Sequence, residues 1–210
     1  MTYTAKQLPA GTGAYIFDGE FDPADMKAPF DALEIAKISD FPWLDEYPDA
    51  FPAYGKVGYT DKGLVVLLYA KESPVLTNQH GFGSMPCHDS CLEFFIKPFA
   101  DDERYLNYEF NPALAAHVGI GILRKRTVYK ELIPGMEMTA SKPGEWWAVS
   151  FTIPFSFIEQ EFGRAPGKTM TCNFYKCAED IHPHFSCWNK VGTPHPDFHR
   201  PEYFGELILG

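Results

Sequence analysis

Asp89-Ser90-Cys91-Leu92-Glu93-Phe94-Phe95 alternates from Ser90 onward between side chains suited to opposite faces of a sheet. That period of two marks a β-strand, because neighbouring strand side chains point to opposite sides. Leu92, Phe94 and Ile96 share an apolar face, while Asp89, Cys91, Glu93 and Phe95 take the other. The stretch from Arg104 to Asn111 repeats the pattern: Leu106, Tyr108 and Phe110 on one side, Tyr105, Asn107, Glu109 and Asn111 on the other. In Trp146 to Ile153 the apolar set is Trp147, Val149, Phe151 and Ile153, which turns Trp146 outward. Asn173 and Tyr175 share a face in the strand that runs from Met170 to Cys177.

Working outward, Lys56 to Thr60 and Leu64 to Lys71 flank Asp61-Lys62-Gly63, which reads as a hairpin turn. Ala115 to Leu123 and Gly205 to Leu209 complete a set of eight strands, and Pro154 to Phe162 is the one convincing helix. Many short strands and little helix predict an all-β chain: an antiparallel β-sandwich of the jelly-roll or immunoglobulin-like kind. No repeat or low-complexity linker divides the sequence, so a single domain is expected. Residues 55–210 would form the sandwich, and the less regular residues 1–54, with Leu33 to Ile38 as a strand or short helix, would pack on its edge.

The chain of 210 residues carries a formal net charge of -10. Nucleic-acid partners and anionic membrane surfaces are disfavoured, because both need an excess of Lys and Arg. No apolar run approaches the roughly 18 residues of a membrane span, and the amino terminus lacks the apolar stretch of a secretory signal. Five cysteines, an odd number, fit reduced thiols better than a disulfide framework. A cytoplasmic location is the expectation.

If the patterned strands are neighbours, Glu93, Asn107, Glu109, Asn111 and Asn173 gather on one surface. Carboxylates and amides in a fixed array suit the vicinal hydroxyls of a sugar, and an indole can cover the C–H face of its ring. Trp188, in Ser186-Cys187-Trp188-Asn189-Lys190, is the candidate platform. The plainer reading is that these polar groups simply face water on one side of an antiparallel sheet.

The chain resembles the carbohydrate-binding family 9-like proteins, relatives of the sugar-binding modules of xylanases. The resemblance rests on Asp89 to Phe95, Tyr108-Glu109-Phe110-Asn111, Trp146 with Ile153-Pro154-Phe155, and Asn173-Phe174-Tyr175-Lys176-Cys177. It continues through His182-Pro183-His184 with Trp188 and Pro196-Asp197-Phe198-His199-Arg200-Pro201-Glu202-Tyr203-Phe204-Gly205, in the family's order, across residues 43–209. It implies a β-sandwich that binds a mono- or oligosaccharide without catalysis, with calcium bound in some relatives. In the xylanase modules two tryptophans sandwich a terminal sugar, one of them just before the residue that Asp89 resembles. Here that place reads Ser84-Met85-Pro86-Cys87-His88, without an indole. The resemblance makes Trp188 the surviving partner, with Tyr105 or Phe82 as substitutes for the other, and Asn173 a hydroxyl-binding amide. Glu93, Glu109, Asn111 and Lys176 complete the expected contacts.

Other chemistries compete for the same residues. Glu93 and Glu109 on adjacent strands could serve as the carboxylate pair of a glycoside hydrolase or lyase. Cys87, His88 and Cys91, with His182, His184, His195 and His199, are zinc-type ligands, although their spacing is not that of a finger. Asp101-Asp102-Glu103 offers calcium oxygens but equally makes a solvated turn. Cys187 beside several histidines has the ingredients of a nucleophile, against the commoner role of a buried free thiol. A sandwich that binds a protein partner and no sugar is the remaining alternative.

Overall fold

A computed structural model describes residues 1–210. Its strands are β1 (Thr2–Gln7), β2 (Ala36–Ile38), β3 (Ala53–Tyr59), β4 (Gly63–Lys71), β5 (Cys91–Lys97), β6 (Tyr105–Phe110) and β7 (Ala116–Ile122). They continue with β8 (Lys125–Val128), β9 (Met138–Ala140), β10 (Trp146–Pro154), β11 (Thr169–Ala178), β12 (His184–Cys187) and β13 (Gly205–Leu209). The single α-helix, α1 (Phe155–Phe162), starts behind Pro154 and stops at Gly163, whose φ of 75° suits a residue without a side chain.

All strands belong to one curled sheet, in the path β8-β7-β6-β5-β11-β13-β1-β3-β4-β10-β9, with β12 on β11 and β2 on β3. The expectation of an all-β chain with one short helix holds. The sheet is mixed rather than purely antiparallel, however, because β1 runs parallel to both β13 and β3. Within the segment expected to lie on an edge, Thr2–Gln7 fills the centre of the path. Its alternation is readable, since Tyr3 and Ala5 are buried while Thr2, Thr4 and Lys6 are exposed.

Curling brings the two halves of the path face to face. Leu92, Phe94 and Ile96 of β5 and Leu106, Tyr108 and Phe110 of β6 share one core with Val149, Phe151 and Ile153 of β10. Phe151 stacks on Tyr108 at 5.5 Å and tilts against Phe110 at 4.6 Å. The face assignments from period two are therefore correct.

Their corollary, that the opposite faces meet water, is not. Strand β4 reads Gly-Leu-Val-Val-Leu-Leu-Tyr-Ala and is buried along both faces, the pattern of a strand covered on two sides. Its outer residues Val65, Leu67 and Tyr69 pack under Tyr15, Phe21, Phe30 and Leu33 of the amino-terminal segment. On the other half, Phe95, Tyr105 and Tyr175 lie beneath Trp43, Val191 and Phe198. Loops thus roof the face that carries the polar residues.

Candidate functional site

Under that roof the register sets Tyr175, Glu93, Glu109 and His117 side by side across β11, β5, β6 and β7. Glu93 and Glu109 form the floor of a cleft of about 160 Å³. His117, Arg124, Asp197, Glu179, Cys87 and Met85 line it, together with Phe185, Phe198 and His199.

The floor is held from behind. Asn107 donates to Glu109 Oε1 through Nδ2 (2.7 Å), and its own Oδ1 accepts from Arg126 Nε (2.8 Å). The guanidinium of Arg126 also lies 4.2 Å above the ring of Tyr105. Gly119 makes this possible, because a Cβ there would come within 2.7 Å of Asn107 Oδ1. The Tyr105 hydroxyl donates to Leu123 O (2.9 Å), which leaves a lone pair for His199 Nδ1–H at 2.8 Å. Burial and the neighbouring arginines push His199 down to about 3, so the ring is neutral at physiological pH.

Burial, and then the proximity of Glu109, hold the Glu93 carboxyl well above the usual range. Burial raises Glu109 too, against the opposing pull of His117 and the Asn107 hydrogen bond. Two carboxyls facing each other in a water-poor floor favour a protonated form, which makes the pair both a donor and an acceptor of hydrogen bonds.

Of the six residues expected to contact a ligand, only Glu93 and Glu109 line this cleft. Trp188 is 5% exposed and belongs to the main core, edge-on to Tyr3 and Phe174. It cannot offer a face to a sugar ring. The four-residue strand β12 delivers the chain inward at Trp188, whose N–H donates to Phe174 O (2.9 Å).

Asn173 is spent on the loop after β12. Its Nδ2 donates to Asn189 O (2.8 Å), and its Oδ1 accepts from the amides of Phe174 and Asn189. Asn111 is equally occupied, donating to Asp89 and Gln79 O while accepting from the amides of Ala113 and Ala115. Lys176 sits on the inner side of β11 with no exposed surface and pairs with Glu72 at 2.8 Å. Alternation alone gives that side, since Lys176 follows Phe174 by two. Of the proposed stand-in aromatics, Tyr105 is fully buried, and Phe82 is half-buried and packed against the main core, outside the cleft.

His117 was legible by the same rule, because it is outward-facing between Ala116 and Val118 and directly opposite Glu109. Glu179, Arg124, Asp197 and His199 come from loops, where no periodicity points to a common cavity. All five cysteines are free thiols and buried. Burial raises Cys187 to about 12, which removes its case as a nucleophile.

The model of a family described as carbohydrate-binding family 9 matches residues 24–209. Among solved structures, a Bacteroides uniformis protein whose assignment to carbohydrate binding is itself provisional is 25% identical, with a TM-score of 0.82 over 100% of this chain and 99% of that one. A family 9 carbohydrate-binding module from Caldicellulosiruptor kristjanssonii in complex with cellotriose is 17% identical, covering 100% and 93% with a TM-score of 0.63. Its complex with glucose gives 18%, 100% and 96%, and a TM-score of 0.61. At those two identities the likeness is one of fold. None of the curated proteins matches the chain.

Proposed function

As the chain belongs to carbohydrate-binding family 9, we propose that it binds a carbohydrate without transforming it, in the cleft above Glu93 and Glu109. The observation that carries this reading is the row Glu93, Glu109 and His117 at the base of a small cavity with Phe185 and Phe198 in its wall. Acids and an imidazole bind vicinal hydroxyls, and apolar walls suit the C–H faces of a sugar ring. A cavity of about 160 Å³ is well below the ~300–1,000 Å³ of sites that enclose drug-sized ligands. The fitting ligand is one terminal sugar unit, free or at the end of an oligosaccharide, rather than the middle of a polymer chain.

The curled sheet, closed over its core by β6 and β10, supports a sandwich of the jelly-roll kind, and β1 joining both halves supports treating residues 1–54 and 55–210 as one unit. Glucose and cellotriose, the ligands of the Caldicellulosiruptor module, are the first to test. Isothermal titration should give a Kd on the order of 0.1–1 mM, about 4–5.5 kcal/mol, weakened at least tenfold in Glu109→Gln. Failure of a broad panel of mono- and oligosaccharides to bind would overturn the reading. Release of reducing sugar, abolished by Glu93→Gln, would replace it with hydrolysis.

A further inference from the structure

Behind the floor of the cleft, two thiols converge on one carboxylate. Cys91 and Cys177 are partners in register across β5 and β11. Cys177 Sγ lies 3.1 Å and Cys91 Sγ 3.7 Å from Glu93 Oε1, and one ligand atom from each of the three residues falls within 4.8 Å of the other two. In a tetrahedral zinc site with Zn–S near 2.3 Å and Zn–O near 2.1 Å, neighbouring ligand atoms stand roughly 3.6–3.8 Å apart. The three donors already surround a point from which each could reach a metal ion with shifts of a few tenths of an ångström to about one ångström.

From this geometry we propose that Cys91, Cys177 and Glu93 form a binding site for a thiophilic divalent cation of the zinc class. Two sulfurs and one carboxylate oxygen select such an ion over calcium or magnesium, which take all-oxygen shells. The three residues are 0%, 1% and 3% exposed, so the ion would be held away from bulk water. An entry path exists, because Glu93 and the neighbouring Cys87 both line the cleft. Cys87 lies in the same buried cluster, but its thiol groups with His88 and Glu179 rather than with these three donors, so a water supplies the fourth ligand. Thiols bind such a cation as thiolates, so the incoming ion displaces their protons as it binds. The site stands on these three side chains whether or not the cleft takes a sugar.

Tag-free protein, reduced and stripped with a chelator, is titrated with Co2+ under argon. One equivalent should produce thiolate-to-cobalt charge-transfer absorption that Zn2+ then abolishes. Cys91→Ser and Cys177→Ser should each weaken binding at least tenfold, while Cys172→Ser, on the core side of β11, leaves it unchanged. X-ray absorption of the zinc-loaded parent protein should count at least two sulfur neighbours near 2.3 Å, a readout independent of how the serine variants fold. Absence of the charge-transfer band, fewer than two sulfur neighbours, or equal binding by the two serine variants and the parent would overturn the site.

Discussion

The indole of Trp188 lies flush against Gly205: a Cβ at that glycine would stand 2.5 Å from Cζ3 and 2.8 Å from Cη2, with the Met1 carbonyl oxygen also at 2.8 Å. The tryptophan is a wedge between β11, β13 and β1, and its place depends on the missing side chain. Gly205→Ala should therefore cost about 1–3 kcal/mol through overpacking, seen as a lower urea midpoint with an unchanged slope. Trp188→Phe should likewise destabilise while leaving sugar affinity within a factor of two. A loss of sugar binding in a folded Trp188→Phe protein would return the indole to the site.

Lys176 and Glu72 form an ion pair inside the core, and Glu72 also accepts from Trp147 Nε1 (2.9 Å) and Ser90 Oγ (2.7 Å). Burial alone would raise Glu72, but the charge and hydrogen bond of the Lys176 ammonium, with the Ser90 hydrogen bond, hold it below its ordinary value. Lys176→Met strands the carboxylate and should cost about 3–5 kcal/mol. Adding Glu72→Gln, which keeps an acceptor for Trp147 and Ser90, should recover most of that loss in chemical denaturation. A double variant no more stable than Lys176→Met would argue against the pair as the cause.

His184 sets an acid limit on stability. Burial, followed by the charge of Lys176, pushes it down to about 4, and its Nε2 lies 2.6 Å from Lys176 Nζ while its Nδ1 meets His182 O at 2.7 Å. The native ring is a neutral acceptor, whereas the unfolded one titrates near 6.5. Between those values the unfolded chain binds a proton that the native state refuses. The stability from this group is complete above about pH 6.5 and declines as pH falls towards about 4, at up to about 1.4 kcal/mol per pH unit. Urea midpoints followed across that window should fall less steeply in His184→Gln; an identical slope would remove His184 from the account.

Glu93 and Glu109 act with the opposite sign. Their raised native values mean that the folded protein keeps protons which the unfolded chain loses from about pH 4.5 upward. The stability they contribute is full below that point and is lost as pH rises through their native values. Glu93→Gln or Glu109→Gln should flatten the decline that sets in above about pH 4.5 and raise the melting temperature on its high-pH side. Parallel stability profiles for parent and variants would count against the protonated floor.

Strand positions were readable wherever a long period-two run met a fully apolar face, as in Leu92 to Ile96 and Trp147 to Ile153. Four strands were not. Strands β8, β9 and β12 are only three or four residues long, and Lys125–Val128 carries two cations, so neither length nor hydrophobicity marks them. Strand β1 alternates cleanly, but its parallel pairing depends on β13, which lies at the other end of the sequence. The site divides the same way. Periodicity reached Glu93 and Glu109 because strand register alone sets them together. It failed for Trp188 and Asn173, whose surroundings are fixed by the fold of the loop after β12 rather than by neighbours in sequence. A tryptophan in a loop-like composition looks exposed until the glycine that accommodates its ring, 17 residues later, is known to be adjacent.

Because β1 and β13 are parallel neighbours, the two ends of these 210 residues emerge at opposite extremities of one ribbon: the Glu206 amide donates to Met1 O, and the Gly210 amide to Ala5 O. Splicing the termini into a circular permutant thus needs a tether that doubles back along a strand's length, about 20 Å. During synthesis the seam between β1 and β13 can zip shut only after Gly205–Leu209 has left the ribosome, long after its partner Thr2–Gln7.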